Sequence, residues 1–172
     1  MNTSPEQATR LINESIVREL AQLLTQHGWR LSTAESCTGG LVAASLTNLA
    51  GSSDWFERGY VTYSNDAKSE DIGVETHLIQ DHGAVSDQVA RAMAIGTKQS
   101  SNSQIALSIT GIAGPTGGSA EKPVGTVCFA WILNTDQVIS ETKLFNGNRA
   151  EIRAQAAEFS LEKLSQLLSK AN

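Results

Sequence analysis

The sequence is poor in the residues that usually bind metals or form disulfide frameworks. Its 172 residues include two cysteines, Cys37 and Cys128, and three histidines, His27, His77 and His82. Two cysteines far apart in sequence form neither a disulfide framework nor a zinc site, and they are compatible with a reducing cytosol. Three scattered histidines are too few for a site with several His ligands. We therefore expect a cytoplasmic protein without a metal or another cofactor.

The sequence also lacks a basic run, a long apolar stretch and a signal segment. Its 13 Lys and Arg residues are scattered and the formal net charge is −5, which is unfavourable for binding a phosphate backbone. The longest strongly apolar stretch, residues 124–133, is much shorter than the roughly 20 residues of a membrane-spanning helix. The first residues do not show the basic-then-apolar pattern of a signal peptide. These absences predict that the protein binds neither nucleic acid nor a membrane.

The features that are present are those of a globular protein. Hydrophobic residues make up 40% and charged residues 18% of the chain, and the length suits a single domain over residues 1–172. The spacing of apolar residues and the caps predict a first helix from Ser4 and Pro5 to Gly28. Further helices are predicted at 41–49, after Ser86 and after Asn148, and strands at 29–34, 59–63, 104–110, 126–133 and 137–145.

The order of these elements predicts the fold class. Helices between the early strands imply parallel crossovers, whereas the short polar link at 134–136 implies an antiparallel hairpin. We therefore expect a three-layer α/β/α fold with a mixed, mostly parallel sheet and a C-terminal antiparallel hairpin.

Three polar turns follow predicted strands, where small-molecule sites of open α/β sheets lie. They are residues 35–40, 63–68 and 110–115. Ser36 lies between a strand and a helix whose entry contains Gly39 and Gly40, so backbone N–H groups there are able to hold a phosphate or an oxyanion. Two alternatives remain open: Ser36 or Thr38 caps the helix at 41–49, or Cys37 is the nucleophile at the helix start.

A serine nucleophile needs a base, and none of the three turns contains a histidine. Lys68 is able to serve if burial lowers its pKa, and Tyr63 and Asn65 lie close enough in sequence to orient its amine. The alternative is an ordinary solvated lysine. The Ser119–Lys122 segment matches the S-x-x-K pattern, but it lies in a glycine- and proline-rich loop without the accompanying motifs, so we interpret it as chance.

Several separate motifs in the same order resemble the C-terminal domain of CinA proteins over nearly the whole chain. They are TAESCTGG at 33–40, GYVTYSN at 59–65, Lys68, HGAVS at 82–86, SITGIAGP at 108–115, the glycines at 117–118 and KPVGTV at 122–127. Stand-alone members of this family are nicotinamide mononucleotide amidohydrolases.

The resemblance implies an α/β/α fold, usually dimeric and without a metal. It implies hydrolysis of nicotinamide mononucleotide to nicotinate mononucleotide and ammonia in pyridine-nucleotide recycling. It also implies that Ser36 is the nucleophile and Lys68 its base, with Tyr63 assisting. Two other function classes stay open: an inactive nucleotide-binding module, and an amidase for a different small amide.

Attack of Ser36 on the amide of a nucleotide substrate predicts which residues contact that substrate. We expect the backbone of residues 36–40, with Cys37, Thr38, Gly39 and Gly40, to hold the oxyanion. Asn65, Thr110 and Gly111 are expected to line the pocket, and Arg149 is expected to bind the phosphate. The alternative for Arg149 is a surface arginine beside a helix cap.

Overall fold

The structure is a computed structural model that describes residues 12–170. In chain order its elements are α1 (Glu14–His27), β1 (Leu31–Glu35), α2 (Leu41–Thr47), a 3₁₀ turn (Ser52–Asp54), β2 (Phe56–Val61), α3 (Asn65–Ile72), α4 (Thr76–His82), α5 (Asp87–Gln99), β3 (Ile105–Gly111), β4 (Thr126–Ile132), β5 (Val138–Leu144) and α6 (Arg149–Lys170).

The five strands form one mixed sheet in the order β2-β1-β3-β4-β5. The β1 strand pairs in parallel with β2 and with β3, and β4 pairs antiparallel with both β3 and β5. Four strands therefore run in one direction, and β4 alone runs against them. This confirms the predicted mixed sheet with its C-terminal hairpin, which the link at 134–136 closes with Asp136 in the left-handed region at a φ of 61°.

Helices cover both faces of the sheet, as the predicted three-layer fold requires. On one face α1, α2 and α6 pack together over the largest apolar cluster, which includes Leu20, Leu46, Trp131 and Leu164. On the other face α5 packs across β1, β3, β4 and β5, with α3 and α4 beside it. Within residues 12–170, no helix is both long enough and apolar enough to cross a bilayer.

Several predicted boundaries are confirmed by the local chemistry. Gly28 ends α1 in the left-handed conformation with a φ of 64°. The Ser86 hydroxyl accepts from the Val89 N–H at the start of α5. The Asn148 amide oxygen accepts from the N–H groups of Ala150 and Glu151, while the Glu151 carboxylate accepts from the Asn148 N–H at 2.7 Å, a reciprocal capping box.

Other boundaries differ from the prediction. Helix α1 begins at Glu14 behind an Asn13 cap, so no continuous helix runs from Ser4 to Gly28; Ser4 and Pro5 themselves lie outside the described residues. Strand β2 begins three residues earlier than predicted. Helix α4 was not predicted because Thr76–His82 offers only Leu78 and Ile79 as an apolar side.

Candidate active site

The carboxyl ends of the three parallel strands meet at one edge of the sheet, and a cavity of about 230 Å³ lies there. The turn after β1 supplies Ser36 and Cys37, and Gly111 ends β3. The lining contains eight of the residues expected from the sequence: Ser36, Cys37, Tyr63, Asn65, Lys68, Thr110, Gly111 and Arg149. It does not contain Thr38, Gly39 or Gly40. Ala84, Val85 and Ala113 complete the lining, and the sequence analysis did not single them out.

A side-chain hydrogen bond across the cavity joins Lys68 to Ser36. The Nζ atom of Lys68 lies 3.1 Å from the Ser36 Oγ, although the two residues are 32 positions apart. Lys68 projects from the first turn of α3, which begins because the Ser64 hydroxyl accepts from the Ala67 N–H. The start of α3 thus sets the distance between Ser36, which follows β1, and the amine of Lys68, which follows β2.

Lys68 is buried, so the alternative of a solvated lysine is wrong. Only 1% of its surface is exposed, and Nζ otherwise contacts the backbone oxygens of Thr62, Tyr63 and Ser64 at 2.9–3.3 Å. No carboxylate pairs with it among the ion pairs of residues 12–170. Burial lowers the pKa of the Lys68 ammonium from its ordinary value, because the charged form loses its hydration. A lysine with a lowered pKa is suited to accept a proton.

The turn after Ser36 is organised by a residue that the sequence analysis missed, Glu35. Its buried carboxylate accepts from the N–H groups of Gly40, Val42 and Ala43 at 2.8–3.1 Å and thereby caps α2. The N-cap position is Gly40, without a side-chain cap bond of its own. The alternative that Ser36 or Thr38 caps this helix is therefore wrong.

Glu35 also limits which amides remain for a ligand. The Gly40 N–H is taken by Glu35, and the Gly39 N–H donates to the Ser36 oxygen at 3.1 Å. In this turn, the N–H groups of Cys37 and Thr38 have no hydrogen-bond partner among the described residues. If this turn binds an oxyanion, the available donors are therefore the N–H groups of Cys37 and Thr38, and not the whole of residues 36–40.

The far wall of the cavity is formed by Tyr63 and Arg149. The Arg149 Nη2 donates to the Tyr63 hydroxyl at 3.1 Å and Nη1 donates to the Gly114 oxygen at 2.8 Å. The Tyr63 hydroxyl thus contacts the guanidinium, and the backbone oxygen of Tyr63 contacts Lys68. At the start of α6 the N–H groups of Ala150 and Glu151 already donate to Asn148, so they are not free for an anion, whereas the Arg149 side chain lines the cavity.

The end of strand β3 lines the cavity with Thr110 and Gly111. The Thr110 hydroxyl donates to the Ala84 oxygen at 2.8 Å, which joins β3 to the segment before α5. A Cβ at Gly111 would lie 2.7 Å from the Val127 Cγ2 and 2.9 Å from the Thr126 oxygen, so a larger residue does not fit without shifting β4.

The Cys37 thiol is poorly suited to the rival role of nucleophile. Burial raises the pKa of this thiol to about 12, so the reactive thiolate is scarce near neutral pH. The lining residues also include no histidine that would activate it.

With this geometry in place, comparison with known proteins identifies the family. The CinA C-terminal domain model matches residues 13–168. The chain belongs to the CinA C-terminal domain family. The nicotinamide-nucleotide amidohydrolase PncC of Enterobacter agglomerans is 49% identical over 144 residues, which cover 84% of this chain and 88% of that protein.

Other relatives include a longer protein and a solved structure with a similar fold. A CinA-like protein of Syntrophobacter fumaroxidans is 46% identical over 91% of this chain, which spans only 37% of that longer protein. The crystal structure of the competence/damage inducible protein CihA from Agrobacterium tumefaciens superposes with a TM-score of 0.88 at 43% identity, covering 93% of this chain and 99% of that one.

Two charged residues of the site escaped the sequence analysis for different reasons. Glu35 lies inside the quoted CinA motif, and its position five residues before Gly40 was the available signal. Arg153 lies on α6, one turn after Arg149, and donates to the backbone oxygens of Cys37 and Thr38. No local pattern links Arg153 to a turn more than a hundred residues earlier.

Proposed function

We propose that the protein hydrolyses the carboxamide of nicotinamide mononucleotide, giving nicotinate mononucleotide and ammonia. The observation that carries the proposal is the 3.1 Å contact between the Ser36 Oγ and the buried Lys68 Nζ inside a cavity at the strand ends. The relatives named nicotinamide-nucleotide amidohydrolase support the choice of substrate, since one is 49% identical over 84% of the chain.

In the first half-reaction the neutral Lys68 amine takes the proton of Ser36 while Oγ attacks the carboxamide carbon. The N–H groups of Cys37 and Thr38 stabilise the oxyanion. The intermediate collapses, the C–N bond breaks, and the Lys68 ammonium returns its proton to the nitrogen that leaves as ammonia.

In the second half-reaction water hydrolyses the acyl-enzyme. Lys68 takes a proton from the attacking water, and the intermediate releases the nicotinate carboxylate while Ser36 regains its proton. The three backbone oxygens around Nζ hold the amine in place: the ammonium is able to donate to all three, and the neutral amine donates to two of them while its lone pair faces Ser36.

Arg149 binds the substrate phosphate in this proposal. A guanidinium carries five N–H donors, and only two of its nitrogens are used on Gly114 and Tyr63, so donors remain for an anion. Removing the phosphate from the substrate should then raise KM. Equal catalysis of nicotinamide riboside would refute the Arg149 assignment while leaving the amide chemistry intact.

The decisive experiment measures ammonia release from nicotinamide mononucleotide by the wild-type protein and by Ser36→Ala. We expect the variant to lose activity by about 10⁴-fold or more, because the nucleophile is gone, while nucleotide binding by calorimetry persists. Ser108→Ala is the matched control, since Ser108 is equally buried but donates to the Ala90 oxygen outside the cavity lining. Tight binding without ammonia release by the wild type would favour a binding module.

Action in pyridine-nucleotide recycling and assembly as a homodimer complete the proposal. Both rest on the family resemblance. Sedimentation of the purified chain at micromolar concentration tests the second, and a monomer would contradict it.

A further inference from the structure

Arg153 reaches from α6 to the two residues that follow Ser36. Its Nε donates to the Cys37 oxygen at 3.1 Å and its Nη2 donates to the Thr38 oxygen at 2.8 Å. The side chain is half-buried and takes part in no ion pair among residues 12–170. Its charge is therefore directed at backbone oxygens and is not neutralised by a carboxylate.

The bond from Arg153 to the Cys37 oxygen fixes the direction of one of the two amides that Glu35 leaves free. In a trans peptide the N–H points opposite to the C=O across the same plane. Because Arg153 holds the Cys37 oxygen, the Thr38 N–H is directed away from Arg153. The preceding peptide is fixed in the same way, since the Ser36 oxygen accepts from the Gly39 N–H and the Cys37 N–H points opposite to it.

The charge of Arg153 adds to this geometric effect. A hydrogen bond from a cation to a peptide oxygen polarises that peptide and makes its N–H a stronger donor. The field of Arg153 reaches the turn, because Arg153 is among the cations that partly offset the raised pKa of the Cys37 thiol. The Arg153 guanidinium also packs directly against this turn, since a Cβ at Gly39 would lie 3.4 Å from its Nη2, an ordinary van der Waals distance.

We propose that Arg153 is a positioning residue for the amide hydrolysis. Its bond to the Cys37 oxygen aims and strengthens the Thr38 N–H beside the Ser36 nucleophile. Its bond to the Thr38 oxygen polarises the peptide whose Gly39 N–H holds the Ser36 oxygen, and so supports the direction of the Cys37 N–H. The inference rests on the proposed function for its substrate, but not for its geometry. It also assigns a role to α6, which delivers Arg149 to the cavity rim and, one turn later, Arg153 to the turn behind the nucleophile.

The test replaces Arg153 with Met and with Lys and measures kcat and KM for nicotinamide mononucleotide. We expect Arg153→Met to lower kcat by about 10- to 100-fold with KM within about twofold, since a small misplacement of catalytic groups costs this much without altering ground-state binding. Arg153→Lys, which keeps the charge but loses the two-pronged contact, should recover part of the loss.

Arg91→Met is the matched control. Arg91 is also half-buried on a helix and also donates to a backbone oxygen, that of Val138, as well as to the Ser140 hydroxyl, but it ties α5 to β5 away from the cavity. It should lower the melting temperature as much as Arg153→Met and leave kcat unchanged. A kcat for Arg153→Met that equals the wild-type value, or a loss no greater than that of Arg91→Met, would overturn the proposal.

A fluorophosphonate probe separates this proposal from the choice of substrate. The probe phosphonylates an activated serine: the Ser36 Oγ–P bond forms, fluoride leaves, and Lys68 takes the proton. If the wild type reacts with the probe but not with the nucleotide, the proposed substrate fails, and the phosphonylation rates of wild type and Arg153→Met still decide the role of Arg153. If Arg153→Met does not fold, the rate of Arg153→Lys decides it.

Discussion

The two halves of the sheet, one at each end of the strand order, bury different kinds of side chain. The site half, meaning β1, β2, the turns that follow them and α3, buries polar groups, among them Ser32, Thr33, Glu35, Thr38, Thr62 and Lys68. The hairpin half, meaning β4 and β5, buries aromatic and aliphatic groups, with Phe129 and Trp131 stacked at 5.8 Å and Phe159 packed edge-on against both.

Unpartnered hydroxyls sharpen this difference. Five buried hydroxyls lack a hydrogen-bond partner among residues 12–170, and four of them, on Ser32, Thr33, Thr38 and Thr62, lie in the site half. Each such group costs free energy on burial. The comparison indicates that the hairpin half contributes most to stability, whereas the site half lowers the stability of the fold by burying an amine beside a serine. Functional sites commonly reduce stability in this way.

Among the variants that test this comparison, the largest expected effect is the loss of activity in Lys68→Met. In the proposed mechanism the variant removes the base, so kcat should fall by about 10²- to 10⁴-fold. Its free energy of unfolding should stay within about 1 kcal/mol of the wild-type value, because removing a buried amine that has no carboxylate partner offsets the loss of its hydrogen bonds to three backbone oxygens. Ammonia release and urea unfolding measure the two quantities.

Lys98→Met is the control for this change. The Lys98 Nζ donates to the Leu133 oxygen and to Asp136, both at 2.8 Å, far from the cavity, so kcat should be unchanged. The proposed mechanism also fixes the sign of the pH dependence of the wild type: as a base Lys68 has to be neutral, so kcat/KM should fall as the pH drops through its lowered pKa. A Lys68→Met protein that is active, or that cannot fold, would contradict the inference that the site half buries Lys68 for activity at the expense of stability.

How far the sequence predicted this site depends on whether the signal was local. The capping box at Asn148, the hairpin link and the polar turns at the strand ends depend on neighbouring residues, and the structure has them. The burial of Lys68 depends on elements folded around it, and a lysine taken alone favours solvent. Glu35 and Arg153 act over turns and helices that meet only in the folded chain, so neither was identified.

The second prediction concerns the hairpin half. Trp131 is fully buried, and its Nε1 donates to the Ser160 oxygen at 3.0 Å. Trp131→Ala should lower the free energy of unfolding by about 3–5 kcal/mol because it leaves a cavity and an unpaired oxygen, with kcat per folded molecule near the wild-type value. Thermal unfolding and active-site titration measure both.

Two further variants keep this prediction decisive. Trp131→Phe should cost less and remain folded if the alanine variant does not. Trp29, half-exposed and stacked on His27, gives the matched control, and Trp29→Ala should cost much less. A Trp131→Phe protein with normal stability but low kcat would break the comparison, because it would place catalytic influence in the hairpin half.

The smallest expected effect runs in the opposite direction, with Thr33→Val in the site half. Thr33 is fully buried in the middle of β1, its hydroxyl has no partner within the described residues, and it does not line the cavity. Valine has nearly the same shape without the polar atom, so the free energy of unfolding should rise by about 1 kcal/mol with kcat unchanged.

Thr97→Val is the control, since the equally buried Thr97 hydroxyl donates to the Met93 oxygen at 2.7 Å and its removal should lower stability. If Thr33→Val is destabilised as much as Thr97→Val, the Thr33 hydroxyl is satisfied by buried water, and the site half gives up less stability than its hydroxyls indicate.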